Sequence, residues 1–175
     1  MKHTISSEWK GNLTFEATVG EHKITNDAPL EGGGDNLGPS PKKMLLVALA
    51  GCTGMDVVTI LKKMRVNVEK CNISVEAEMR DEHPKYYERM HVVYEFTGKD
   101  LPMDKLEKAV KMSEETYCGV EALFRKAIEV TSEIRVKQGW KTLAGQYINK
   151  GAGIEIAAPL LLLSGENSNL IIYPI

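Results

Sequence analysis

Residues 38–64 read GPSPKKMLLVALAGCTGMDVVTILKKM, and this stretch decides the fold. Ser40 followed by Pro41 has the form of a helix start, with serine as N-cap and proline at the first helical position, where a missing N–H is not needed. Nearly every residue from Met44 to Leu61 is apolar, so the helix has almost no polar side and must be enclosed. Lys62 and Lys63 end it where positive charge suits the helix dipole. The length also fits a membrane span. Asp56 near the centre argues against that, since a carboxylate there costs about 2.5–3.5 kcal/mol on insertion scales. The expectation is therefore a core helix with no membrane partner. Cys52, between Gly51 and Thr53, is either a packing group or a sheltered nucleophile.

The chain has 175 residues, enough for one domain with a sizeable core. A charged fraction of 26% and a hydrophobic fraction of 43% are those of an ordinary soluble protein. The net charge of −2 argues against nucleic acid as a partner. The opening MKHTISSEWKG lacks an apolar h-region, so no secretory signal is expected. Cys52, Cys71 and Cys118 form an odd, sparse set that suits a reducing cytoplasm better than a disulfide scaffold. Their spacing is unlike a CxxC knuckle, and His3, His22, His83 and His91 are scattered, so a structural metal is not expected.

Toward the N-terminus, Leu13, Phe15, Ala17 and Val19 alternate with polar residues, as in a strand with one buried face. Gly20-Glu21 turns into a partner strand over 22–25, giving a β meander. The run 28–38 contains Gly32, Gly33 and Gly34 and reads as a flexible connector; it lacks the GxxxxGK[ST] spacing of a phosphate cradle. Beyond the helix, Cys71, Ile73, Val75, Ala77 and Met79 alternate cleanly, which makes Cys71 a packing thiol on a half-buried strand. A turn over 81–86 leads to a second strand through Met90, Val92, Tyr94 and Phe96. A helix is expected over 103–112, with Leu106, Ala109 and Val110 at helical spacing. Tyr117-Cys118-Gly119 interrupts it, and helix resumes to about Ala127. A last strand carries Ile128, Val130, Ile134 and Val136, with Ser132 breaking the apolar register. Residues 1–138 are read as the domain and 139–175 as a charge-poor extension of unassigned role; its apolar runs, 157–163 and 170–175, are expected to pack on the domain or on a partner chain, the alternative being an appended, non-functional extension.

The chemistry rests on Cys52 and Cys118. A thiolate is the nucleophile, and burial and a nearby Asp56 carboxylate both oppose its formation at Cys52. Cys118 lies near a helix N-terminus, where unpaired amides favour a thiolate. Spacing alone leaves open both a redox pair and two buried structural thiols.

SPKKMLLVALAGCTGMDVVTILKKM, followed by YCGVEALFRKAIEVTSEIRV, resembles the OsmC/Ohr superfamily of osmotically inducible and organic-hydroperoxide-resistance proteins, over roughly residues 5–136. The resemblance implies an α+β fold, with antiparallel sheets packed around long central helices in an intertwined homodimer. It matches Cys52 to the peroxidatic cysteine and Cys118 to the resolving one. It implies thiol-dependent reduction of organic hydroperoxides without metal, haem or flavin, with a dithiol or lipoyl-protein reductant. Organic-hydroperoxide-resistance members carry a glutamate ten positions before the peroxidatic cysteine, where Lys42 stands here, and an arginine from the N-terminal strands, whereas the first arginine here is Arg65. Lys42, Lys43, Lys10, Lys23, His22 and Arg125 are the candidates to stabilise the thiolate instead. The competing expectation is a non-catalytic dimer that holds a small apolar ligand near Cys52.

Overall fold

The computed structural model describes residues 1–138, 140–141, 147–148 and 170–174. The chain forms two compact units, residues 1–49 and 50–175, whose border falls within the central helix.

The first unit is a three-stranded antiparallel meander of β1 (Ser6–Gly11), β2 (Thr14–Val19) and β3 (His22–Asn26). β1 carries no period-two apolar pattern, so only β2 and β3 were legible in the sequence. The expected buried face of β2 is only partly closed: Ala17 and Val19 are half-buried, but Leu13 and Phe15 stay exposed.

The glycine-rich run is the clearest departure from expectation. Instead of a flexible connector it is a loop built around the buried carboxylate of Asp27. That carboxylate accepts the backbone N–H groups of Ala28 (2.7 Å), Asp35 (3.1 Å) and Leu37 (3.1 Å). The Leu37 N–H, followed by those of Ala28 and Asp35, holds the Asp27 carboxyl below its ordinary range. A Cβ at Gly34 would lie 2.1 Å from the Ala28 carbonyl oxygen, and one at Gly38 2.2 Å from that of Thr25. These glycines serve close backbone approach, a second use of the residue besides flexibility.

Helix α1 (Pro41–Lys63) begins at the proline, with the Ser40 carbonyl accepting from the Met44 N–H (3.4 Å). One side of it is buried through Leu49, Thr53, Val57, Ile60 and Leu61. The opposite side is open within the single chain, where Val47 is 57% and Met55 69% exposed. The expected enclosure is thus only half supplied by the chain itself.

The second unit is organised on a four-stranded sheet in the order β4 (Lys70–Met79), β5 (Tyr87–Gly98), β6 (Glu129–Gln138), β9 (Leu170–Pro174). β4 and β5 pair antiparallel, with Val75 opposite Val92, whereas β5 and β6 run parallel, with Val92 opposite Ser132. Parallel pairing requires a long connection, and it is helical: α2 (Met103–Met112), a π-helical turn at Ser113–Tyr117, and α3 (Gly119–Phe124). Helix ends at Phe124, short of the expected Ala127. The inner face stacks Met90, Val92, Tyr94 and Phe96 beside Val130, Ile134 and Val136, all buried. Two short strands, β7 (Trp140–Lys141) and β8 (Tyr147–Ile148), pair with each other. The second apolar run of the extension joins the domain itself, β9 pairing antiparallel with β6; residues 157–163 lie outside the described residues.

Candidate thiol site

Cys52 and Asp56 lie one turn apart on α1, so both side chains leave the helix on the same side. The π-helical turn that follows α2 ends at Ser113–Tyr117, and Cys118 then adopts an extended backbone (φ −73°, ψ 95°) as the N-cap of α3. Its N–H is held by the Ser113 carbonyl at 2.8 Å. The result is that two thiols 66 positions apart in sequence meet: Cys52 Sγ, Cys118 Sγ and an Asp56 carboxylate oxygen all lie within 4.8 Å of one another. Cys118 is buried, while Cys52 and Asp56 are half-buried.

Burial dominates the Cys118 thiol and pushes it up to about 12. The Glu121 N–H, donated to Cys118 Sγ at 3.4 Å, opposes that shift, as the cap position led one to expect. A hydrogen bond to Cys52 and the negative charge of Glu121 add to the rise. The helix end does favour a thiolate at Cys118, as expected, but one N–H from a short helix is outweighed by burial. Burial thus favours the protonated form of Cys118.

A buried polar chain supports the pair. Thr53 Oγ1 is 2.6 Å from the Tyr94 hydroxyl and 3.1 Å from Ser113 Oγ, and Ser113 Oγ donates to Asp56 at 3.3 Å. On the other side of Cys118 stands an acidic cluster. Arg125 binds Glu121 through Nε (2.9 Å) and Nη2 (2.8 Å) and reaches Glu114 at 3.5 Å. The Glu121 side chain is fully buried and that of Glu114 is 7% exposed. Burial raises the Glu114 carboxyl, and a hydrogen bond from Ser132 partly offsets it. That bond explains the polar break in the β6 register. Glu114 Oε1 and Glu121 Oε2 are buried without a hydrogen-bond partner.

Of the candidate thiolate-stabilising residues, Arg125 is engaged by these two carboxylates. His22 is exposed on β3, Lys42 and Lys43 are exposed in the first turn of α1, and Lys10 and Lys23 pair with Glu8 (2.6 Å) and Glu16 (2.8 Å) respectively. Cys71 is the packing thiol it was read to be, half-buried on β4 and pushed up to about 11 by burial. Sequence reasoning missed Thr53, Tyr94, Ser113, Glu114 and Glu121 as site residues, and it treated Asp56 only as a charge opposing ionisation. Two local signals were available: the Cys52/Asp56 spacing of one helical turn, and Glu121 in the first turn after Cys118.

Asp56 also lines a cavity of about 300 Å³, together with Met55, Lys63, Met64, Met112 and Tyr117 among others. Methionine is unbranched and adaptable, so such a wall accepts varied apolar groups.

An α+β domain with a long apolar helix bearing one thiol, and a second thiol delivered by a helical crossover, defines a cysteine-pair protein class. The family model for OsmC-like protein matches residues 32–133, and the chain belongs to that family. Protein YhfA of Escherichia coli strain K12 is 33% identical over 129 residues, which cover 74% of this chain and 94% of the relative. The crystal structure of a hypothetical protein from Aquifex aeolicus VF5 is 31% identical, with a TM-score of 0.70 over 79% of this chain and 98% of that one. An organic hydroperoxide resistance protein OsmC from Legionella pneumophila shares the fold at 17% identity, with a TM-score of 0.57 over 77% of this chain and 96% of that one. The apolar α1, although long enough to cross a membrane, is thus the central helix of a soluble OsmC-like fold.

Proposed function

We propose that this protein is a cysteine-based peroxidase that reduces organic hydroperoxides in the cytoplasm. The observation that carries the reading is the meeting of Cys52 and Cys118 within 4.8 Å, with Asp56 of the same cluster lining a cavity that three methionines share. Cys52 Sγ attacks the distal peroxide oxygen, the O–O bond breaks, and the alkoxide leaves with a proton as the alcohol. Cys52 is left as a sulfenic acid. Cys118 Sγ then attacks Cys52 Sγ, the S–O bond breaks, and water leaves with the Cys118 proton. The resulting disulfide is returned to two thiols by exchange with an external dithiol, such as a lipoyl group, which is itself oxidised. The name of the Legionella relative, an organic hydroperoxide resistance protein, supports the substrate class.

The Cys118 thiol has one further part in this scheme: it supplies the proton that leaves with water. Among Lys42, Lys43, His22 and Arg125, the last is proposed to act on the thiols only through Glu121. The open side of α1 is proposed to be covered by a second copy of the chain, since a row of exposed apolar residues with Gly51 between them suits close helix packing. Val47→Lys should then convert a dimer to a monomer in light scattering.

One observation favours the competing reading of a non-catalytic apolar ligand site: the charged groups acting on Cys118 are anionic, which slows thiol chemistry. Trapping with a sulfenic acid reagent separates the two. Cys118→Ser protein treated with cumene hydroperoxide should accumulate the adduct at Cys52. Unreacted Cys52, together with a retained apolar ligand in native mass spectrometry, supports the competing reading instead.

A further inference from the structure

Two thiols and a carboxylate converge at one point, a set of donor atoms that a thiol-ligated cation uses. We propose that Cys52, Asp56 and Cys118 form a binding site for a borderline-soft divalent ion, zinc(II), in the reduced protein. Three donor atoms of two kinds, S, S and O, converge within 4.8 Å. Zinc sites with three protein ligands and one open position use such sets, and Zn–S bonds of about 2.3 Å at tetrahedral angles place two sulfurs about 3.8 Å apart. Side-chain rotation of about 1 Å is enough to reach that separation. Two thiolates select zinc over magnesium or calcium, which prefer sites made of oxygen.

The surroundings supply what ligands of a metal need from their neighbours. Ser113 Oγ donates to Asp56, fixing the carboxylate, and the Glu121 N–H donates to Cys118 Sγ. Thr53 and Tyr94 hold Ser113 in turn. Near Cys118 the side chains of Glu114 and Glu121 share the single Arg125, and Glu114 Oε1 and Glu121 Oε2 are buried without a hydrogen-bond partner. An ion of charge two bound with loss of both thiol protons leaves that local charge unchanged, so it is the donor geometry that selects the ion. Three protein ligands would leave a fourth position for water or a small anion, and Asp56 also lines the 300 Å³ cavity.

Binding of the ion does not depend on the peroxidase reading; its consequence does. Both sulfurs become thiolates shared with the metal, and neither is free to join the other. One equivalent of hydroperoxide would take two electrons from the pair and, with two protons, leave alcohol, water, a disulfide and the released ion.

The test is an anaerobic titration of the reduced, metal-stripped full chain with Co(II), followed by competition with Zn(II). The expected result is one ion per chain, a thiolate-to-cobalt charge-transfer band, and bleaching of that band by zinc. Asp56→Asn should weaken zinc at least about 10-fold, and Cys71→Ser should change nothing. Cys52→Ser and Cys118→Ser should each lose charge-transfer intensity, with circular dichroism reporting that the fold is kept. Absence of the band in wild-type protein overturns the proposal, as does a titration curve unchanged by Asp56→Asn or abolished by Cys71→Ser. No peroxide enters the experiment, so a protein inert toward hydroperoxides can still bind the ion, and one that turns them over can still fail to.

Discussion

The chain contains two buried acidic centres built on opposite terms. In the N-terminal unit, Asp27 is surrounded by donors: three backbone N–H groups point at its carboxylate, and it is held well ionised. In the C-terminal unit, Glu114 and Glu121 are equally buried, yet they share one arginine and each leaves an oxygen unbonded. A saturated carboxylate fixes a loop and has no capacity left for chemistry. An under-satisfied pair beside a thiol is expensive to keep, since buried polar groups without partners cost about 1–3 kcal/mol each. The difference separates architecture from a site.

Four experiments press on that contrast. The largest effect should come from Gly34→Ala, because the added methyl meets the Ala28 carbonyl oxygen at 2.1 Å within the Asp27 loop. About 3 kcal/mol or more of stability should be lost, read by urea unfolding. A loss below about 1 kcal/mol means that the loop yields and the first centre is not rigid.

Arg125→Met should cost about 2–3 kcal/mol near neutral pH, less than for a fully buried pair because Arg125 is 43% exposed. The loss should shrink in acid, where the stranded carboxylates take up protons. A loss independent of pH indicates a packing role only.

Tyr94→Phe removes the 2.6 Å bond to Thr53 and should cost about 1–1.5 kcal/mol, since Thr53 keeps Ser113 as partner.

The smallest effect concerns pH. The Glu114 carboxyl is raised above its ordinary value of 4.5 by burial, so the folded state binds its proton more tightly than the unfolded chain. Its contribution to stability is complete below that value and fades as pH rises through the raised one. Asp27 has the opposite sign: its contribution is present above its ordinary value of 3.8 and is lost as pH falls through the lowered one. Glu114→Gln should therefore flatten the fall in melting temperature on the alkaline side of 4.5 and leave the acid limb intact. A change confined to the acid limb would reverse the assignment.

The same contrast marks what could be read from the sequence. α1, the β4–β5 hairpin and α2 were legible because their apolar periods are long and uninterrupted. Cys52 and Cys118 were legible through the family resemblance, and their meeting was not, since it depends on a π-helical turn and a parallel crossover that no local pattern encodes. The glycine run was misread because the same residues serve freedom or close approach, and only the backbone facing them decides. β1 was hidden by its polar face. Glu114 and Glu121 carried no local signal of burial, although Ser132, the polar break in β6, hydrogen-bonds Glu114.

The most direct measurement is peptide mass spectrometry of the reduced protein under non-reducing conditions, after one equivalent of cumene hydroperoxide. The account predicts a peptide pair joined through Cys52 and Cys118, two thiols lost per peroxide, and Cys71 still alkylatable. Full alkylation of Cys52 and Cys118 after that treatment would contradict it.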